Sequence, residues 1–410
     1  MKKYLLLFLS ALCFNAFANA QTLDEYFQLA AENNPGLQSE YKNFEAALQK
    51  VAQVGSLPDP VLSFGYFISP VETRVGPQRA KFSLSQMFPW FGTLKAQENA
   101  ASLLAEAKYQ VFLDARNTLY YQVAAAYYPL IELEQLILLE KENLRILDSY
   151  KDIATAQFQN GKGTMIDVLR VDMMGKDAGT HLSILNQKKK PFETRFNRIL
   201  NRADNSAINL LDTLAISGIA PNYRRDSLFT ENPMLENLDR LIQANEMNEE
   251  IAIKQGMPKI GVGLEYVIVG ERKDITMDKN GRDIFMPMVS VSLPIYRAKY
   301  RAAQKEAQYM QESYTLKKEE LSNTLIRSYD RIYFEIQEQL ALVQLYEEQI
   351  QTASQSLALL IRDYSHSGTQ FEEVLRMQQQ VLAYQKMKAT ALSQYHISIA
   401  ELDYITAKTF

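Results

Sequence analysis

Glycine and proline, the residues that most often stop a helix, are nearly missing from two long stretches of this chain. Thr93–Asn160 contains no glycine and one proline, Pro129, and Ile295–Phe410 contains one glycine, Gly368, and no proline. Both stretches read as helices. At about 1.5 Å of rise per residue the first would reach roughly 100 Å, far more than a globular core needs. Apolar side chains recur along them at spacings of three, four and seven, as in Leu133, Leu136, Ile137, Leu144 and Leu147, where Glu140 interrupts the stripe, and in Ile336, Leu340, Val343, Tyr346 and Ile350. Such stripes pack helix against helix as coiled coils.

The chain also repeats itself. Asn34-Pro35 is matched by Asn232-Pro233, Pro60 by Pro258 and Gly65 by Gly263, all 198 residues apart. Further on, Ser83-Leu84-Ser85 is matched by Ser290-Val291-Ser292, and Val168-Leu169-Arg170 is identical to Val374-Leu375-Arg376. One supersecondary plan is used twice. The first repeat is predicted over 21–202, with a hairpin at 61–88 and helices at 93–160 and 164–200, and a linker or equatorial region follows at 203–230. The second spans 231–410, with a hairpin at 259–293 and helices at 295–366 and 369–408. Gly175, Gly179 and Pro191 make Met165–Leu200 a weaker helix than its neighbours.

The hairpins show as alternation. Val61–Ile68 puts Leu62, Phe64, Tyr66 and Ile68 on one face, and Lys259–Val269 sets Ile260, Val262, Leu264, Tyr266 and Ile268 against Lys259, Gly261, Gly263, Glu265 and Val267. Ala80–Phe88 and Phe285–Leu293 read as their partners, with Ser83, Ser85, Ser290 and Ser292 on the polar side. Tilted strands of this length cross a bilayer. The tips are predicted at Ser69–Arg79 and Gly270–Asp283. Asp278–Asp283 is not a calcium loop, since its Gly281 stands at the fourth position instead of the sixth and the terminal glutamate is missing.

Residues 1–20 carry Lys2 and Lys3, an apolar run from Tyr4 to Phe17 and the small-x-small end Ala18-Asn19-Ala20, the pattern of a signal peptide cleaved before Gln21. Cleavage removes Cys13, the only cysteine, and with it disulfide or thiol chemistry. Leu12 ahead of Cys13, and the apolar run beyond it, argue against lipidation. Lys+Arg 44 against Asp+Glu 48 gives −4, too balanced for a chain that neutralises nucleic-acid phosphates. No later stretch is apolar enough for a membrane-spanning helix. Four strands cannot close a barrel in lipid, where an open edge leaves backbone groups unpaired, so the hairpins require an oligomer. Two, three or four copies would all close, and the periodicity does not choose among them.

With these residues in view, the chain resembles the TolC family of outer-membrane efflux and secretion channels over essentially its whole mature length. The resemblance lies in the doubled plan, in the two Asn-Pro pairs, and in the strand-to-helix prolines of Met87-Phe88-Pro89-Trp90-Phe91-Gly92 and Ser292-Leu293-Pro294-Ile295-Tyr296. It lies also in Phe158…Gly161…Asp167-Val168-Leu169 and Tyr364…Gly368-Thr369…Glu373-Val374-Leu375. It implies a mainly α fold with a transmembrane β part: a homotrimer whose twelve-stranded outer-membrane barrel continues as a twelve-helix coiled-coil tunnel across the periplasm. Such proteins are passive exit ducts of tripartite pumps and type I secretion systems. They dock through a periplasmic adaptor (membrane fusion) protein to an inner-membrane transporter, catalyse no reaction and use no cofactor. Cargo can be drugs, metal ions or polypeptides.

The resemblance places the periplasmic mouth at Asn160–Thr164 and His366–Thr369. Gly161, Gly163, Gly368 and Thr369 would offer backbone to an adaptor tip, although glycines here also serve simply to end a helix. Acidic rings of the family correspond to Asp167 and Glu373, which would favour cations in a narrow bore. Glu372 is adjacent, and Arg376 replaces a second family acid. Asp167–Arg170 and Glu373–Arg376 also have the i,i+3 spacing of plain surface ion pairs. A closing link between neighbouring coils would run from Tyr364 to Asp167, with Gln370 where the family has a basic residue. Phe88, Trp90 and Phe91 read as an interfacial aromatic belt facing outer-membrane lipid. His181, His366 and His396 are too scattered for a metal site, and Gly161-Lys162-Gly163-Thr164 lacks the order of a phosphate loop. The competing reading is a periplasmic coiled-coil scaffold or pump adaptor, which explains the helices but not two hairpins of lipid-crossing length.

Overall fold

The computed structural model describes residues 23–210, 214–216, 227–274, 277–367 and 370–407. The expected signal peptide with Cys13, much of the expected linker, and the turn residues Gly368 and Thr369 lie outside the described residues. In chain order the elements are α1 (Leu23–Asn33), α2 (Pro35–Gly55), β1 (Val61–Thr73), β2 (Gly76–Phe88), α3 (Thr93–Gln159) and α4 (Met165–Ile199). A single turn, α5 (Ser227–Thr230), then leads into α6 (Pro233–Gln255), β3 (Lys259–Val269), β4 (Ile284–Ser292), α7 (Ala298–Ser367) and α8 (Phe371–Ile405). The fold is mainly helical, and α3 and α7 run for 67 and 70 residues. None of the described helices is long and apolar enough to cross a membrane.

The chain forms two compact units, and each draws on both halves of the sequence. One comprises Met1–Gln38, Ala115–Asn232 and Thr324–Phe410, the other Ser39–Asp114 and Pro233–Asn323. Boundaries therefore fall inside α2, α3 and α7. In the first unit Tyr26, Tyr127 and Phe196 are fully buried, with Tyr26 edge-on to Phe196 at 5.0 Å and Arg202 over both rings. The Tyr26 hydroxyl accepts from the Asn209 amide at 2.8 Å, which pins the segment after α4 to α1. In the second unit Asn237 of α6 donates to the carbonyl of Ala107 at 2.8 Å, and Lys318 of α7 pairs with Asp239 at 2.6 Å.

The four strands form one antiparallel sheet in the order β1-β2-β3-β4, so the two hairpins join through β2 and β3. Strands β1 and β2 run through the tip expected at Ser69–Arg79, leaving Arg74 and Val75 as the turn. The extension is possible because the second tip lies against the first. The Gly270 amide donates to Pro77 O and the Gly281 amide to Val75 O, both at 2.7 Å. Gly76 has φ 130, and a Cβ there would meet the Gly270 carbonyl oxygen at 1.8 Å, so only glycine fits. Pro70 falls in the irregular stretch between Tyr66 and Val71, and Pro287 lies in β4. Both lie in outer strands, where a missing N–H costs least, whereas Pro77 stands second in the inner strand β2, beside the turn.

The weak-helix expectation for Met165–Leu200 is corrected: α4 runs through Gly175, Gly179 and Pro191 without a break. Burial of Val171, Ala178 and Phe196 along it supplies what propensity withholds.

The repeated Asn-Pro pairs do the same work twice. Pro35 and Pro233 open α2 and α6, where proline's missing N–H goes unneeded. Asn34 caps α2 by accepting from the Leu37 amide at 3.1 Å, while its side-chain amide donates to the Ile199 carbonyl at the end of α4, at 3.0 Å. Asn232, buried, donates likewise to the carbonyl of Ile405 at the end of α8, at 3.3 Å. Each asparagine thus fastens the last helix of its repeat to an early one. Replacing Asn34 or Asn232 with Ala should cost about 1–2 kcal/mol, the range of a lost cap or buried hydrogen bond, read as a lowered denaturant midpoint with unchanged far-UV circular dichroism.

Candidate functional site

Two places in the fold carry functional features: the sheet in one compact unit, and the helix ends at Asn160–Thr164 and Ser367–Phe371 in the other. In the sheet the register aligns unlike residues on its two faces. Leu62, Leu84, Leu264 and Pro287 form one cross-strand row, and Phe64, Phe82, Tyr266 and Phe285 the next. Except for Pro287, a proline, these are large apolar or aromatic side chains left exposed. The opposite face holds the row Ser63, Ser83, Glu265 and Met286 and, beside it, Lys81. There Lys81 pairs with Glu265 at 2.6 Å, and Glu265 is only 7% exposed. Apolar rows left exposed together while a carboxylate, Glu265, is buried is the inverse of a water-soluble sheet.

Where β2 meets α3, the Trp90 carbonyl accepts from the Thr93 amide at 3.0 Å and from its hydroxyl at 2.7 Å, and Gly92 has φ 76. This tight turn holds Trp90 and Phe91 edge to face with ring centroids 5.8 Å apart. Phe88, Trp90 and Phe91 all remain exposed, Phe91 at 79%.

At the other place four helices converge on one core: Leu147, Tyr150 and Ala154 of α3, Val171 and Ala178 of α4, Tyr364 of α7, and Phe371, Val374 and Leu375 of α8. Helix α3 stops at Gly161, φ 71, and Lys162 and Gly163 donate their amides back to the Gln157 carbonyl at 2.9 and 3.1 Å. Thr164 and Asp167 then build a reciprocal capping box for α4, with Asp167 accepting from the Thr164 amide and hydroxyl. The start of α8 is made differently. Gln370 sits at φ 66, in the left-handed region, and makes no side-chain cap. Replacing Gln370 with Gly should raise stability by up to about 1 kcal/mol, measured as a higher unfolding midpoint, because a Cβ is strained there.

The sequence-predicted residues fall into new partnerships here. Asp167 is occupied by its cap and does not pair with Arg170, whereas Glu373 and Arg376 do pair. Arg170 instead reaches across to Glu372 of α8 at 2.6 Å. Tyr364 is buried and stacked on Phe371 at 4.5 Å, and among the described residues its hydroxyl has no hydrogen-bond partner. Burial, and secondarily the Asp167 charge, pushes its phenol up. Arg170, Glu372, Arg376 and Gln379 rim a groove of about 350 Å³ floored by Met173, Met174 and Leu375. Arg170 carried a sequence signal, the repeated Val-Leu-Arg, but its partner is 202 residues away.

Sequence reasoning also missed Asp172. It accepts from Lys151 of α3 at 2.5 Å and from Lys176 at 2.7 Å, and these hydrogen bonds pull its carboxyl down to about 2. The histidines are separate: His396 stacks on Tyr128 at 4.9 Å and lies 3.1 Å from the Ala215 carbonyl, burial lowering its pKa, while His366 lies 2.7 Å from the Arg362 carbonyl.

The comparisons with known proteins agree with this arrangement. Residues 226–408 match the family model described as outer membrane efflux protein. By fold the whole chain is similar to CusC, solved in a study of folding and transmembrane channel formation, with TM-score 0.79 and 13% identity over 94% of this chain and 91% of that one. It is similar also to the outer membrane protein VceC of Vibrio cholerae, with TM-score 0.74 and 14% identity over 94% and 95%, and to the MtrE outer membrane channel of Neisseria gonorrhoeae in its open state, with TM-score 0.75 and 14% identity over 94% and 88%. No curated protein sequence matches the chain. The TolC-like channel fold extends to the first half, which the family model does not reach.

A depressed carboxylate stabilises above its unfolded pKa and ceases to do so as pH falls through the folded one. The difference in unfolding midpoint between the wild type and Asp172→Asn should therefore stay constant down to about pH 5 and disappear toward about pH 2.

Proposed function

We propose that this chain is the outer-membrane exit duct of a tripartite efflux pump or type I secretion system, reaching from the outer membrane into the periplasm and opened when an adaptor docks. The observation that carries the reading is the sheet: an exposed apolar face, a buried Glu265 paired with Lys81 on the other face, and two outer strands, β1 and β4, that among the described residues pair on one side alone. In lipid those edges must be paired, and β4 of one copy against β1 of the next does this without exposing backbone. Three copies give a twelve-stranded barrel, of the size that leaves a polar lumen. Lys81 and Glu265 then line the lumen, and α3, α4, α7 and α8 contribute to a twelve-helix tunnel.

The helix ends fit a mouth that opens and closes. Glu372 and Arg170 tie α8 to α4, Asp167 and Glu373 place carboxylates beside the turns, and the Tyr364 hydroxyl has no hydrogen-bond partner among the described residues. Gly161 and Gly163 present bare backbone to an adaptor tip, and an inner-membrane transporter supplies the energy. The duct itself is passive and performs no reaction.

Substituting Leu264 with Asp puts a charge in the middle of the lipid face and should abolish recovery of assembled protein from outer membranes. Normal yield of a soluble, helical Leu264→Asp protein would favour the periplasmic scaffold instead. Electron microscopy of the detergent-extracted wild type should show hollow particles with three-fold symmetry. In planar bilayers, Glu373→Gln should reduce the preference for cations over anions, as loss of a carboxylate ring requires.

A further inference from the structure

The helices that adjoin the sheet repeat its order. Rings of α2 and α3 meet, Tyr41 with Phe112 at 5.3 Å and Phe44 with Tyr109 at 5.1 Å. Helix α3 meets α6 where Asn237 donates to the Ala107 carbonyl and Arg240 pairs with Glu106 at 3.3 Å. Helix α6 meets α7 where Gln308 donates to Glu249 at 2.8 Å and Lys318 pairs with Asp239. Among the described residues no hydrogen bond, ion pair or ring contact joins α7 back to α2. The helix order is therefore α2-α3-α6-α7 beside strands β1-β2-β3-β4, and α2 and α7 are its outer members.

Both outer helices carry apolar side chains in line that their own chain leaves open. On α2, Tyr41, Phe44 and Leu48 recur at steps of three and four, and Tyr41 and Leu48 stay 41% and 43% exposed although α3 covers one flank. On α7, Tyr309 and Leu316 stand seven residues apart on one face, 63% and 59% exposed. Single exposed apolar residues are ordinary, but stripes at helical spacing on both edges of one row of helices ask for a cover.

The two stripes are level. Five residues lie between Gly55, the end of α2, and Val61 of β1, and five between Ser292 of β4 and Ala298, the start of α7. Counted away from the sheet, Leu48 is seven residues from Gly55, Tyr309 eleven from Ala298, Tyr41 fourteen from Gly55 and Leu316 eighteen from Ala298. At the standard rise these side chains follow one another at about 6, 4.5 and 6 Å, alternating from one helix to the other as the knobs of an antiparallel seam do. Charge agrees with the match: Lys42 of α2 is level, within one residue, with Glu312 of α7, which is exposed and among the described residues has no ion-pair partner.

We infer that the α7 stripe of one copy docks against the α2 stripe of the next, with Tyr309 entering between Leu48 and Tyr41 and Glu312 meeting Lys42. The inference rests on the duct reading, because α7 follows β4 and α2 leads into β1, the two strands that reading joins between copies. The contact is head-to-tail, so it closes into a ring, whereas a two-fold contact would set α2 against α2.

Cys13 is the only native cysteine, so introduced thiols report alone in a Cys13→Ser background. Chains carrying Leu48→Cys and chains carrying Tyr309→Cys are co-expressed, extracted in detergent and treated with a short bis-maleimide. Covalent dimers of one chain of each kind are expected, neither variant alone should form them, and the double variant should advance to a covalent trimer. Tyr309→Ser with Leu316→Ser should lower the temperature at which extracted oligomers dissociate, and Tyr309→Phe with Leu316→Met should leave it unchanged. In preparations whose particles are three-fold by electron microscopy, dimers from either cysteine variant alone, linkage only within one chain, no linkage, or a serine variant that dissociates like the wild type would each overturn the contact and leave the duct reading intact. Wild-type preparations without three-fold particles would overturn the duct reading and the contact with it.

Discussion

A β-strand in hydrocarbon must have every backbone N–H and C=O paired, and among the described residues the four-stranded sheet of this chain has two outer strands, β1 and β4, that pair on one side alone. The remaining features of the sheet become intelligible from that constraint. Under the proposed membrane placement its faces are unlike because lipid and water lie on opposite sides. Pro70 and Pro287 lie in the outer strands, and Pro77 stands at the start of β2 beside the turn. Lys81 pairs with the buried Glu265 on the face opposite the apolar rows, where that charge would otherwise be costly to leave alone. In the proposed duct a single copy is therefore incomplete, and neighbouring copies complete the sheet.

The helices meet a different constraint. Stretches of 67 and 70 residues cannot bury themselves along their whole length in a compact core, so they rely on one another and on short ties at intervals. Asn34 and Asn232 close each repeat at the helix ends. Asp172 with Lys151, and Glu140 with Lys386, tie helices together farther along. Glu140 is almost fully buried and interrupts an apolar stripe, and its partner Lys386, with Asn143 at 3.3 Å, makes that tolerable. Such a pair specifies a register more than it stabilises.

The two turns beside the convergent helix ends began as one motif and have been completed differently. In the first repeat, glycine ends α3 and a capping box starts α4. In the second, α8 starts from a left-handed Gln370 without a cap. Arg170 of the first repeat reaches over to Glu372 in the first turn of α8. Duplication supplied the parts, and divergence at a few positions gave the two helix starts different caps.

Helix positions, the repeat and the two faces of each hairpin were legible in the sequence because each is periodic and local: absence of glycine, spacing of three and four, alternation by two. The TolC-like plan followed from their order. What was not legible depends on residues far apart. Strands β1 and β2 reach into the expected tip because the Gly270 and Gly281 amides come from the other repeat, and α4 survives Gly175, Gly179 and Pro191 because buried neighbours hold it. Arg170 chose Glu372 over Asp167, three residues away, because Thr164 had already claimed the aspartate. The sequence by itself determined which segments are helix or strand and which strand face is apolar, since backbone sterics and solvent act residue by residue. Only the tertiary structure decided which strands pair across the repeats and which charges meet, since those choices depend on three-dimensional proximity that no local pattern encodes.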